Sequence, residues 1–154
     1  MTMHTIADGR TPPIVRMKAR ISVIIAKRLG KLPPAQLQRV LVLLSKHSRP
    51  ATYEEAEHAL LAVVRSDATC AGRFGCLPRS IATCLLLRTA GIWPMWCSGI
   101  PSAPPFRAHA WIEAEGRIVA EIGELTSYCR LMTVPEHYGW DSHESESESA
   151  QEIA

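Results

Sequence analysis

Cys76 and His109 are the side chains here whose types and settings could together do acyl chemistry. Cys76 opens a segment with helical spacing. His109 sits in Ala108-His109-Ala110-Trp111-Ile112-Glu113, on the first strand of a hairpin pattern whose return strand carries Glu121. A thiol becomes a useful nucleophile near neutral pH only when a helix N-terminus or a neighbouring imidazolium lowers its pKa, and this layout offers both. A carboxylate at Glu121 could fix the imidazole tautomer. Together these residues would attack carbonyl carbon as a cysteine hydrolase does. Singly, each has a bland reading: a lone strand histidine is usually a hydrogen-bonded structural residue, and a cysteine at a helix start is weak evidence. Taken jointly they name one geometry.

The nucleophile must be presented by its helix. After the flexible Ala71-Gly72-Arg73-Phe74-Gly75, the run from Cys76 to Ala90 has apolar residues at Leu77, Ile81, Cys84 and Leu85 and stops at Gly91, which predicts a helix. Pro78 is tolerated only in a first turn, so the helix begins within a residue or two of Cys76. Cys84, Cys97 and Cys129 read as small core hydrophobes. Arg79 and Ser80, in the first turn, are candidates for substrate contact or for bracing the loop. Trp93, Trp96 and Trp111 read as core rather than as a specificity wall.

The hairpin register decides whether Glu121 can meet His109. A three-residue loop, Ala114-Glu115-Gly116 with Gly116 left-handed, sets Glu113 opposite Arg117, Trp111 opposite Val119 and His109 opposite Glu121. A two-residue loop at Glu115-Gly116 sets His109 opposite Ile122 and turns Glu121 to the other face. The first register is preferred, because it pairs Glu113 with Arg117 and places glycine where a bulge turn needs it.

Gly75-Cys76-Leu77-Pro78-Arg79-Ser80, Leu85-Leu86-Leu87-Arg88, Gly91, then Phe106-Arg107-Ala108-His109-Ala110-Trp111-Ile112-Glu113, Gly116 and Glu121 carry a family resemblance. Across residues 50 to 135 the chain resembles the leader-peptide-cleaving B proteins of lasso-peptide biosynthetic clusters, which belong to the transglutaminase-like, papain-like cysteine protease superfamily. The resemblance implies a protease that removes the leader from a ribosomally made precursor peptide, so that a separate ATP-dependent cyclase can close the new N-terminus onto an acidic side chain. It places the nucleophile on Cys76, the base on His109 and the third member on Glu121, where many relatives carry Asp. It also implies a separately encoded, winged-helix-like leader-binding protein, and no cofactor. Two rival functions are an acyltransferase, in which an amine resolves the thioester, and a catalytically silent scaffold that recruits precursor and cyclase.

Composition fits one modest domain: 154 residues, 47% apolar, with five cysteines and a net charge of +2. The odd cysteine count, without metal-ligand pair spacing or a signal peptide, points to reduced thiols in the cytoplasm and to no zinc site. No apolar run is long enough to span a bilayer. Nucleic-acid motifs are missing and the net charge is small, so nucleic acid is not an expected partner. Charge is segregated: residues 9 to 53 contain no Asp or Glu, whereas no Lys or Arg follows Leu131. The expected organisation is a basic helical region over residues 1–49, a catalytic core over 50–135 and an acidic, disordered tail over 136–154. The basic helices are expected from about Pro13 to Leu29 and from Pro34 to Lys46. A Thr52/Glu55 capping box starts a third helix running to about Ser66, and a last strand spans Tyr128 to Val134. Helices first and strands later argue for α+β, with a catalytic helix packed on a small antiparallel sheet.

Overall fold

A computed structural model describes residues 11–119 and 128–135. Proline starts the first two helices, as its fixed φ and missing N–H favour at a first turn. α1 runs Pro13–Leu29 and α2 Pro34–Ser45. α3, Tyr53–Ser66, opens on the expected capping box: the Glu55 N–H donates to Thr52 Oγ1 (3.2 Å), and the Thr52 N–H donates to Glu55 Oε2 (3.0 Å). Arg49 grips the same Glu55 from outside at 2.6 Å. A short α4, Ala68–Ala71, precedes α5, Cys76–Arg88, which begins at the cysteine as Pro78 requires.

The apolar stripes of α1, α3 and α5 meet in one core, filled by Val23, Leu60, Val63, Ile81 and Leu87. The sheet side of that core is Trp96, Ala110, Ile112, Ala114 and Val134. These belong to a four-stranded antiparallel sheet built from β3 (Met95–Pro101), β4 (His109–Ala114), β5 (Arg117–Ile118) and β6 (Tyr128–Val134), in the order β5-β4-β3-β6. A two-residue parallel pair, β1 (Arg49–Pro50) with β2 (Ile92–Trp93), lies beside it. The architecture is α+β, as the order of sequence patterns indicated. The central strand β3 was not singled out, because its apolar run Met95-Trp96-Cys97 does not alternate.

Two expectations fail at the sheet. The hairpin closes through two residues rather than three: Ala114 pairs with Arg117, Glu113 with Ile118, and the Val119 N–H reaches Ile112 O at 3.0 Å. Glu115 and Gly116 both have positive φ, 53° and 70°, which is the two-residue turn whose twist matches the flanking strands. A non-glycine residue in the left-handed region, unreadable from type alone, therefore sets the register. Cys129, in turn, is exposed and not a core residue. It lies past a bulge opposite Ser98 and Gly99, where Leu131 is the extra residue, on edge strand β6, which has a neighbouring strand on one side only. Cys84, Cys97, Trp93, Trp96 and Trp111 are buried as expected.

Candidate active site

Several ties hold the loop before Cys76. Asp67 caps α4, accepting from the Thr69 N–H at 2.8 Å, and Lys27 of α1 reaches its other carboxylate oxygen at 2.8 Å. The Lys27 ammonium, helped by Thr69, holds the Asp67 carboxyl down at about 2. Arg79 Nη1 donates to Cys70 O at 3.0 Å, tying the first turn of α5 back to α4. Gly75 is packed so closely that a Cβ there would lie 2.0 Å from Thr69 O, which leaves no room for a side chain beside the nucleophile. Ser80 is buried: its hydroxyl accepts from Trp96 Nε1 (3.0 Å) and donates to Leu77 O (3.0 Å). Of the two roles open to Arg79 and Ser80, the observed hydrogen bonds are braces.

Cys76, half-buried at the start of α5, is hydrogen-bonded to His109, the first residue of β4. That bond is the main cause of a thiol pKa below the ordinary value. Burial opposes it, and the backbone N–H groups of Ala110 and Leu77 help to hold the thiolate. The Leu77 amide is a first-turn donor with no partner inside the helix, so the helix start acts here through a specific N–H as well as through its dipole. Burial drives Cys70, Cys84 and Cys97 the other way, toward the inert thiol. A thiol of lowered pKa beside backbone donors can attack a carbonyl as its thiolate, and the neighbouring imidazole can protonate a leaving group. Among the described residues no group of three or more His, Cys, Asp or Glu could hold a metal ion. Glu121 lies outside the described residues.

The family model of the transglutaminase-like superfamily matches residues 19–133, three-quarters of the chain, and takes in both halves of this arrangement. The chain belongs to the transglutaminase-like superfamily. Its members are commonly cysteine peptidases or acyltransferases. No curated protein and no solved structure matches the chain. The match begins within α1, upstream of the residues 50 to 135 over which the resemblance was noted, in keeping with a core that α1 shares with α5.

In this transglutaminase-like chain the site extends beyond the residues that spacing identified. His109, Trp111 and Glu113 alternate along β4 and share the sheet face away from the main core, where Met95, Cys97 and Trp111 form a second cluster. The Trp111 ring stacks on His109, with centroids 5.8 Å apart and planes 16° apart, and the Tyr128 ring lies 5.5 Å from the imidazole. Glu113 is 2% exposed. It accepts from Trp111 Nε1 at 2.9 Å and is paired with Arg130 Nη2 at 2.8 Å. The expected Glu113–Arg117 pair does not form; Arg117 instead meets Glu115 at 3.3 Å. The available signal was a carboxylate two residues beyond a buried tryptophan, on the face of His109, which requires a cationic partner from elsewhere.

Proposed function

We propose that this chain is a cysteine peptidase that removes the leader from a lasso-peptide precursor before macrolactam closure. The observation that carries the reading is the Cys76–His109 hydrogen bond at a helix start, with the thiol pKa lowered. The blocks Gly75-Cys76-Leu77-Pro78-Arg79-Ser80 and Phe106 to Glu113, by which the chain resembles the B proteins, supply the substrate class.

In this reading the Cys76 thiolate attacks the carbonyl of the last leader residue, and the backbone N–H of Cys76 contributes to holding the oxyanion. His109 protonates the departing amine, which becomes the N-terminus of the core peptide. His109 then takes a proton from water, and the hydroxide carbon–oxygen bond replaces the thioester, releasing the leader acid and the thiolate. Glu121 is the third member by resemblance alone, since the two-residue hairpin register removes the pairing argument for it. Glu121→Gln is expected to lose most turnover while keeping the fold, with Glu115→Gln as a mild control. Near-normal turnover of folded Glu121→Gln would transfer the role of orienting His109 to another group.

The precursor's leader is held by a separately encoded leader-binding protein, and the cyclase acts on the product. The surface proposed for that protein is the outer side of α1. There Ile14, Met17, Ile21, Ile24 and Ile25 are exposed among Arg16, Lys18, Arg20 and Arg28, and among the described residues no acidic side chain pairs with these four cations. Charge complementarity selects a partner whose apolar contact has an acidic rim. Single-turnover cleavage of the precursor, followed by mass spectrometry with and without that protein at two ionic strengths, tests the reading. The expected result is slow cleavage alone and a large acceleration that weakens as salt rises. Equal rates with and without the protein would refute partner dependence, and a salt-independent gain would place the contact on the isoleucines alone. Product formed only when an amine is added would replace the peptidase by an acyltransferase.

A further inference from the structure

We propose that Glu113 and its partner Arg130 are positioning residues for His109, acting through the indole of Trp111. The inference rests on reading Cys76 and His109 as the reacting pair. A carboxylate buried to 2% exposure in a small domain is costly, and an ion pair around it seldom offsets the desolvation. Here the charge has a specific use. The Trp111 N–H donates to Glu113 Oε1 at 2.9 Å, which selects one of the two broad χ2 orientations open to an indole. That orientation lays the ring nearly parallel to the imidazole.

Arg130 then fixes the carboxylate, with Nη2 at 2.8 Å from Oε1 and 2.9 Å from Oε2. The Cys97 thiol is hydrogen-bonded to Glu113 as well, so the acid is surrounded by donors from β3, β4 and β6. Arg130 reaches this face only because of the β6 bulge. Val134 and Met132 pack on the main core, and uninterrupted alternation would send Arg130 there too. The extra residue Leu131 reverses the phase and sets Arg130 opposite Gly99, which also pairs with His109. The same reversal brings Tyr128 beside the imidazole. The imidazole that meets Cys76 is thus stacked on a ring whose plane a buried acid determines.

The test compares Trp111→Phe, which keeps a ring and leaves the Glu113–Arg130 pair intact, with Glu113→Gln, which keeps an acceptor for the indole, and Glu113→Leu, which removes it. Exposed Glu115→Gln is the control. Two quantities are read: kcat and KM with enzyme titrated by active-site alkylation, and the pH at which iodoacetamide alkylation of Cys76 is half-maximal. Trp111→Phe and Glu113→Leu are expected to lower kcat on the order of tenfold to a hundredfold with KM little changed, the size of effect that a small misplacement produces. They should also move the alkylation midpoint up toward that of an ordinary thiol, with Glu113→Gln intermediate. Unchanged titrated kcat and unchanged midpoint in folded variants, even with a lowered melting temperature, would reduce the network to a structural role and overturn the proposal. If Glu113→Leu does not fold, Trp111→Phe decides by the same criterion. Should the wild type cleave no precursor, the peptidase reading fails, but the alkylation midpoint still reports on positioning: a shift supports it and no shift overturns it.

Discussion

Cys76→Ala is expected to abolish precursor cleavage, while Cys84→Ala and Cys129→Ala cleave at rates close to the parent. Cys76 is the cysteine that combines a helix start, a hydrogen bond from His109 and a lowered pKa, whereas burial holds Cys84 in its neutral, inert form. Removing the nucleophile of a unit that acts together costs on the order of a millionfold in rate, leaving only what binding and oxyanion stabilisation provide. Cys84→Ala removes one buried sulfur and should lower stability by about 1 kcal/mol without touching the site, within the usual range for a single substitution. Cys129 is exposed on an edge strand, and its loss should be nearly silent. The measurement is single-turnover cleavage with matched, purified proteins. Complete cleavage by Cys76→Ala would remove the enzyme assignment.

His109→Gln should be almost as damaging, and it carries a pH signature. The hydrogen bond from His109 is the largest contribution lowering the Cys76 pKa, so the parent keeps a thiolate as pH falls below the range where a free cysteine would protonate. Glutamine preserves polarity and some hydrogen bonding but can neither carry the positive charge nor deliver a proton to the leaving amine. Cleavage should fall on the order of a thousandfold or more, and alkylation of Cys76 should fade at a higher pH than in the parent. A parent whose alkylation follows the profile of an unperturbed thiol would contradict the Cys76–His109 geometry. A loss of cleavage with an unshifted alkylation profile would limit His109 to proton transfer.

How far the sequence reaches differs from one element to the next. Local signals named the helices well, because proline at Pro13 and Pro34, the Thr52–Glu55 box and Pro78 act within a turn of the residues they govern. The same reasoning put Cys76 at a helix start, and the pattern around His109 put a strand there, which is why the candidate pair is legible in the sequence. Pairing was not. The Glu113–Arg117 pairing and a single left-handed glycine argued for the three-residue loop, whereas the observed turn takes a positive φ at Glu115 as well as at Gly116, which residue type does not announce.

Glu113 marks the boundary most clearly. Its alternation with His109 and Trp111 is written in the chain, but its partner is not: Arg130 arrives from a different strand, across β3, and faces Glu113 because Leu131 is inserted into the ladder. Cys129 was misplaced because strand order is not written in the chain, and β6 lies at the sheet edge, where the thiol stays exposed. By itself, then, the sequence determined where helices begin, which thiol stands at a helix start and which histidine can face it, all consequences of capping and periodicity over a few residues. Tertiary structure alone decided the strand register, the inward turn of Arg130 and the burial of Glu113. These depend on how separated strands pair, and pairing energy is shared among many residues that no local pattern contains.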